Sequence, residues 1–340
     1  MARRLRKIFG TTVLIIVVLL LLGITFTIGW RPFIGPKTRA LTNRSFEATP
    51  ARLERGGYLV NGVLGCLGCH SEPDLKTPGA PPLVGKLGAG ALFAAGADFP
   101  GRLIAPNITP DKETGVGNWT DDTLARAIRE GIGHDGRALF PIMPYMNYHE
   151  MPDEDLASVI VYIRSLAPIR NELPKTEIAF PVKYLIRGAP QPVTAPVPQP
   201  NLSTPEKRGE FLARMCSCAD CHTPQDRGQR KPGFEFAGGL ILNSPTGLVM
   251  ASNITPDASG ISYYDEALFL EAIRTGHVKA RELSPAMPWA IYRNMNDEDL
   301  KAVFAYLRTL KPVKHTVDNS QPPTGCKLCG LKHGGGGERN

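Results

Sequence analysis

The feature that most constrains this chain is an internal duplication. The pentapeptide Cys66-Leu67-Gly68-Cys69-His70 returns as Cys218-Ala219-Asp220-Cys221-His222, and four further landmarks follow it in the same order. Asn107-Ile108-Thr109-Pro110-Asp111 is repeated as Asn253-Ile254-Thr255-Pro256-Asp257, and Ala127-Ile128-Arg129-Glu130-Gly131 as Ala272-Ile273-Arg274-Thr275-Gly276. Pro141-Ile142-Met143-Pro144 matches Pro285-Ala286-Met287-Pro288, and Asp153-Glu154-Asp155-Leu156 matches Asp297-Glu298-Asp299-Leu300. Five ordered matches displaced by roughly 145 to 150 residues point to tandem copies of one unit. A length of 340 residues suits two domains with segments to spare.

Each repeat closes with an amphipathic helix. Leu156, Val159, Ile160 and Ile163 fall on one helical face, as do Leu300, Val303, Phe304 and Leu307. Asn296 is an N-cap; Pro152 holds its place in the first repeat, so that helix is expected to start one residue differently. Pro168 and Pro312 stop both. Helices are also expected over 50–64, 120–130, 204–215 and 264–275, and no segment alternates like a strand. The fold class is mainly α. The expected organisation is a basic flank and transmembrane anchor over 1–31, one domain over 50–168, a Pro-rich linker over 169–203, a second domain over 204–312, and a disordered tail over 313–340.

Ile8 to Trp30 is an apolar run of about the 20 residues a membrane-spanning helix needs. Arg3, Arg4, Arg6 and Lys7 precede it, which places the N-terminus in the cytoplasm and everything after Arg31 outside, in a single pass of the inner membrane. A cleaved signal peptide has a shorter apolar core, and Ile28 to Arg31 make a poor cleavage site. Removing those four charges from the formal +7 leaves +3, too little to argue for a nucleic-acid partner.

C-x-x-C-H is the haem attachment spacing: two thiols add to the two vinyl groups of one porphyrin, and the adjacent histidine reaches the iron. A redox disulfide or half a zinc site is the plain alternative for one copy, but two copies in matching places point to two covalently bound haem c groups. Cys66, Cys69, Cys218 and Cys221 are the attachment residues, and His70 and His222 the proximal ligands. Met143 and Met287, each flanked by prolines and matched between repeats, are the expected sixth ligands, against a plain reading as core filler. Met146, Met151 and Met295 are taken to lack matched counterparts and stand as fallbacks. His134, His149, His277 and His315 read as ordinary loop histidines. Asn107 and Asn253 either bond a haem propionate or cap a turn. Of the remaining thiols, Cys326 and Cys329 form a C-x-x-C without an adjacent histidine. A metal clip with His333 is one reading and a tail disulfide the favoured one, which leaves Cys216 free or intermolecular.

With these motifs in view, the chain resembles the membrane-bound dihaem and multihaem cytochrome c proteins that serve bacterial periplasmic alcohol, aldehyde and sugar dehydrogenases as electron-accepting subunits. The resemblance rests on both C-x-x-C-H sites, the Asn-Ile-Thr-Pro-Asp segments, Gly117 to Asp121, Ala127 to Gly136, Pro141 to Tyr145 and the Asp-Glu-Asp-Leu helices, and covers about Arg52 to Pro312. It implies that each repeat is a class I cytochrome c domain with His and Met ligands. It implies a non-catalytic electron carrier on the periplasmic side, passing electrons from a dehydrogenase to an oxidase or soluble cytochrome. Some relatives carry a third haem or a C-terminal membrane helix, which this chain departs from. The competing readings are a dihaem peroxidase or sulfur-compound dehydrogenase with one open haem, and an integral subunit of a larger respiratory or photosynthetic complex. Asymmetry between the repeats would mark the enzyme, and the matched methionines argue against it.

Overall fold

The structure, a computed structural model, describes residues 2–96, 99–226, 228–244 and 247–334. Its principal helices are α1 (Ala2–Phe26), α2 (Pro50–Tyr58), α3 (Asp121–Glu130), α4 (Asp153–Ser165), α5 (Pro205–Met215), α6 (Glu266–Thr275) and α7 (Asp297–Thr309). Helix α1 is long and apolar enough to cross a membrane, and none of its apolar stretch is buried against the rest of the chain.

The two repeats have the same construction. Thr49 and Thr204 cap α2 and α5 by accepting from Arg52 N and Lys207 N, each followed by proline at the first helical position. Helix α2 widens into a π-turn over Leu59–Val63 before the first Cys-x-x-Cys turn. In each repeat the first helix crosses the last one closely. A methyl group on Gly56 would overlap the carbonyl oxygen of Ser158, and one on Gly209 would overlap that of Ala302. Only glycine permits this approach. Arg55 closes the first crossing on Asp155 with two bonds of 2.9 Å, and Arg208 closes the second with one bond of 2.5 Å to Asp299 and one to Glu298. Below them Val60, Val63, Val159 and Ile160 are buried in the first repeat, and Leu212, Met215, Leu300 and Val303 in the second, as parts of one core.

Helices α4 and α7 start at equivalent residues, contrary to the expected offset. Asn296 caps α7 by accepting from Asp299 N at 2.7 Å, while at α4 the linker satisfies a different first-turn amide, Asp153 N donating to the carbonyl of Val197 at 2.9 Å. The expectation of no strands is also corrected. Short strands β1 (Ala91–Gly96), β2 (Gly101–Ala105) and β3 (Glu177–Ile178) form an antiparallel sheet, and β4 (Ile241–Ser244) pairs with β5 (Gly247–Met250). Strands this short are held by their partners, and too few residues alternate to leave a pattern. The tail is corrected as well: residues 313–334 lie on the second repeat, with His315 and Asn319 fully buried. Residues 335–340 fall outside the described part.

The repeats meet through a pseudo-twofold interface. Asn147, four residues after Met143, donates to Ser217 Oγ at 2.9 Å and Asp220 Oδ2 at 2.7 Å, on the second C-x-x-C-H turn. Ile291, four residues after Met287, packs over Gly65 and Gly68 of the first. Glu150 pairs with Arg214, and the equivalent Asn294 donates to Asn61 O at 3.0 Å. Tyr58 donates to Asp299 across the same interface.

Because the crossing has no room for a side chain, Gly209→Ala is expected to cost the second repeat about 1–3 kcal/mol. Gly188→Ala, which has open space around it and no left-handed φ, is the control. Thermal unfolding followed by circular dichroism checks this; equal midpoints for the two variants would refute the argument.

Candidate haem sites

A continuous cavity of about 3940 Å³, open to solvent on part of its surface, runs through both repeats, and Cys66, Cys69, His70, Met143, Cys218, Cys221, His222 and Met287 all line it. Protein interiors are normally close-packed, and a pocket for a small ligand is about 300–1,000 Å³. The walls are apolar: Leu124, Ile128, Val159 and Ile163 in the first repeat, Phe269, Ile273, Val303 and Leu307 in the second.

The two histidines are set in the same way. His70 Nδ1 donates to the carbonyl of Pro106 and His222 Nδ1 to that of Ser252, both at 2.7 Å. That bond assigns the proton to Nδ1 and leaves the Nε2 lone pair for a metal. Burial lowers both imidazole pKa values, with the backbone bond opposing it, which favours the neutral ligand form. Gly90 N and Gly238 N hold the histidine carbonyls, also at 2.7 Å.

The Asn-Ile-Thr-Pro-Asp segments explain those accepting carbonyls. Asn107 Oδ1 accepts from Thr109 N at 2.9 Å and Thr109 Oγ1 at 2.7 Å; Asn253 Oδ1 accepts from Thr255 at 2.9 and 2.8 Å. The Asn107 amide spends its protons on Thr114 Oγ1 and the carbonyl of Ile169, and that of Asn253 on Ser259 Oγ, Val313 O and His315 O. The turn-capping reading therefore replaces the propionate one, since neither amide has a donor to spare. Each asparagine fixes the chain one residue after the carbonyl that orients the histidine.

The methionine loops also share one conformation. Met143 N donates to Phe140 O at 3.1 Å and Tyr145 N to Met143 O at 2.8 Å; Met287 N donates to Ser284 O at 3.0 Å and Trp289 N to Met287 O at 2.7 Å. Gly131 and Gly276, both left-handed, cap α3 and α6 where a side chain would strike the rings of Tyr145 and Trp289. Tyr148 and Tyr292 donate to the carbonyls of Leu64 and Cys216, just before the Cys-x-x-Cys turns, at 3.0 and 2.6 Å.

Two sequence readings of sulfur need correction. Met151 and Met295 do occupy matched positions, displaced by the same interval as Met143 and Met287. Both are almost wholly buried, and each donates its N–H to the carbonyl of the tyrosine before it, Tyr148 or Tyr292, so they are core residues. Met146 is exposed and stays unmatched. Cys216 is buried with its thiol 3.8 Å from Met295 Sδ, which excludes an intermolecular role. Burial pushes the thiols of Cys66 and Cys218 up to about 12 and those of Cys69 and Cys221 up to about 11. A redox dithiol depends on the opposite shift, so the donor set and apolar cavity fit a covalently held haem and not a thioredoxin-like pair. The sequence reading missed Gly56, Gly209, Tyr148 and Tyr292; each recurs at the repeat interval, which was the available signal.

Two small helical domains, each closing a Cys-x-x-Cys-His turn and a methionine loop around an apolar cavity, define a dihaem c-type protein. The cytochrome c family profile matches residues 54–167 and 206–311, and the chain belongs to that family. Its cofactor is two covalently bound haem c groups. One of the subunits of nicotinate dehydrogenase from Pseudomonas putida is 34% identical over 226 residues, 62% of this chain and 17% of that protein. The alcohol dehydrogenase (quinone) cytochrome c subunit of Gluconobacter oxydans is 26% identical over 282 residues, 78% of this chain and 56% of the relative. A diheme cytochrome c-type protein of Cereibacter sphaeroides is 29% identical over 263 residues, 74% and 83% respectively. The chain thus spans about half the length, or less, of the two dehydrogenase subunits.

Asn253→Leu keeps the volume but strands Thr255 N and Val313 O. A loss of about 1–3 kcal/mol from the second repeat is expected, read by denaturant unfolding; an unchanged midpoint would show the turn to be dispensable.

Proposed function

We propose that this chain is a membrane-anchored electron carrier that works on the periplasmic side, taking electrons from a dehydrogenase and passing them to a respiratory acceptor. Cys66 and Cys69 would hold one haem, with His70 and Met143 as its iron ligands, and Cys218 and Cys221 would hold the other, with His222 and Met287. The observation that carries this reading is the sameness of the repeats: both line one cavity with two cysteines, a carbonyl-oriented histidine and a proline-held methionine.

Each haem supplies a one-electron iron couple, and methionine ligation places it at higher potential. The residues keep that couple from becoming a catalytic site. His70 and His222 are locked in orientation by the carbonyls of Pro106 and Ser252. The Pro144 and Pro288 backbones are restrained at φ of −81° and −78°, so the methionine loops have little freedom to swing away. The interface brings Asn147 and Ile291 onto the opposite attachment turns, so the two sites share a wall, as exchange within one molecule requires. Names of similar proteins support a dehydrogenase as donor.

The anchor reading is supported by α1 and by what lies beyond it. The Arg31–Ile34 turn packs on the Val182–Gly188 segment, with Arg187 donating to Pro32 O at 3.0 Å. Trp30, Phe33, Ile34, Phe180 and Leu185 are exposed there, an apolar rim suited to a membrane surface. A chain starting at Arg31 behind a cleavable export signal is expected to be soluble and to carry both haems. Fractionation with an alkaline wash, which strips surface contacts but not a spanning helix, and haem staining check this; a shortened chain that stays in the membrane after the wash would refute the anchor.

Met287→His is expected to lower the potential of one haem on the order of 0.1 V, a fraction of the roughly 0.8 V range that axial ligands command, and to leave the other unchanged. Redox titration of the variant beside the parent measures this. The untreated protein should show two low-spin centres with methionine-to-iron charge transfer. One native high-spin centre that turns over peroxide would replace the carrier reading with the enzymatic one.

A further inference from the structure

The C-terminal tail brings four metal-ligating side chains together on the second repeat: His315, Cys326, Cys329 and His333. We propose that they form a structural zinc site of the Cys2His2 type, separate from the haem sites, which pins the tail beside the strand that leads to the Ser252 carbonyl.

The four donor atoms all lie within 4.8 Å of one another. Cys326 Sγ is 3.5 Å from His315 Nε2, and Cys329 Sγ is 3.1 Å from His333 Nε2. Tetrahedral zinc, with Zn–S of about 2.3 Å and Zn–N of about 2.0–2.1 Å, separates its donors by roughly 3.3–3.8 Å. His315, Cys329 and His333 are buried. Both imidazoles are prepared for ligation by their far nitrogens: His315 Nδ1 donates to Ala237 O at 2.8 Å and His333 Nδ1 to Thr316 O at 3.3 Å. Each proton is thereby fixed on Nδ1, leaving Nε2 to face the cluster. Gly239 provides the space, since a methyl there would come within 2.9 Å of both rings.

The cysteines sit in a Cys326-Lys327-Leu328-Cys329-Gly330 knuckle. Gly330 is left-handed at φ 81°, Gly330 N donates to Cys326 O at 2.9 Å, and Leu331 N donates to Cys329 Sγ at 3.4 Å. Such a turn aims both sulfurs to one side, and binding there releases the two thiol protons to solvent as the two S–Zn bonds form.

Comparison of the repeats shows that the histidine is an addition. In the first repeat Asn171 Nδ2 donates to Ala89 O at 2.9 Å, the bond that His315 makes to Ala237. The residues occupy corresponding places after their closing helices. An asparagine suffices for the backbone bond; His315 makes it and also presents a second nitrogen. Further along, Thr176 bonds both backbone groups of Ile104, and Asn319 bonds both of Met250, at 2.8 and 3.0 Å. Met250 ends β5, two residues before the Ser252 carbonyl that orients His222. In the first repeat the linker continues and pairs as β3. In the second repeat that place is taken by the tail, held by Asn319 on Met250, and the metal supplies the further closure.

The test uses the full-length protein purified without chelators. Elemental analysis against polypeptide concentration is expected to give one zinc per chain, and zinc-edge X-ray absorption a shell of two sulfurs and two nitrogens. His315→Asn, which installs the residue of the first repeat, should keep iron and the haem spectrum while zinc falls at least tenfold; Cys326→Ser should do the same. Three results would each overturn the site: no zinc after incubation with a zinc salt under reducing conditions, zinc retained by both variants, or a Cys326–Cys329 disulfide in the mapped protein.

Discussion

Everything in each repeat depends on the close crossing of its first and last helices. At Gly56 and Gly209 the backbones approach until no side chain fits, and the paired Arg55–Asp155 and Arg208–Asp299 contacts lock the angle. The crossing fixes one wall of the cavity, from which the Cys-x-x-Cys turn leaves α2 or α5 and toward which the closing helix presents Val159 or Val303. Were the helices farther apart, the cysteines and the methionine loop would not line one space. Net stabilities are only about 5–15 kcal/mol, so a contact that organises a whole repeat outweighs its own area.

Around that crossing, orientation is transmitted by backbone bonds. The asparagine turn fixes a carbonyl, the carbonyl fixes a histidine proton, and the proton's place decides which nitrogen faces the cavity. A segment that resembles a binding motif in sequence thus acts one step away from the cofactor. The pseudo-twofold interface uses the same economy, because Asn147 and Ile291 hold equivalent positions and each rests on the other repeat's attachment turn. Duplication therefore produced two sites and also the surface that joins them.

The repeats diverge after their closing helices. The first hands its chain to the linker, whose Thr176 and β3 complete the small sheet, while the second must finish the equivalent surface with a tail. His315 in the place of Asn171, with the knuckle at Cys326 and Cys329, meets that need with a metal clip.

Much of this was legible in the sequence. Covalent attachment chemistry is written in local spacing, so the Cys-x-x-Cys-His turns, the tandem plan and the mainly helical class followed from the residues, as did the closing helices from their apolar period. What failed were readings that depend on partners distant in the chain. Strand β3 was invisible because it exists only by pairing with β2, more than seventy residues earlier, and the cap of α4 because it comes from Val197. Met151 and Met295 went unmatched although the repeat interval was there to count. His315 looked like a loop histidine, and the tail looked disordered, because glycine and charge dominate its composition. The sequence by itself determined the duplicated cytochrome c plan and, through the C-x-x-C-H spacing, two covalent haem groups. Tertiary structure alone decided which nitrogen each haem-site histidine presents, because that rests on single bonds to carbonyls 30 or more residues away, and which thiols meet an imidazole, because that depends on how the tail folds back on the second repeat.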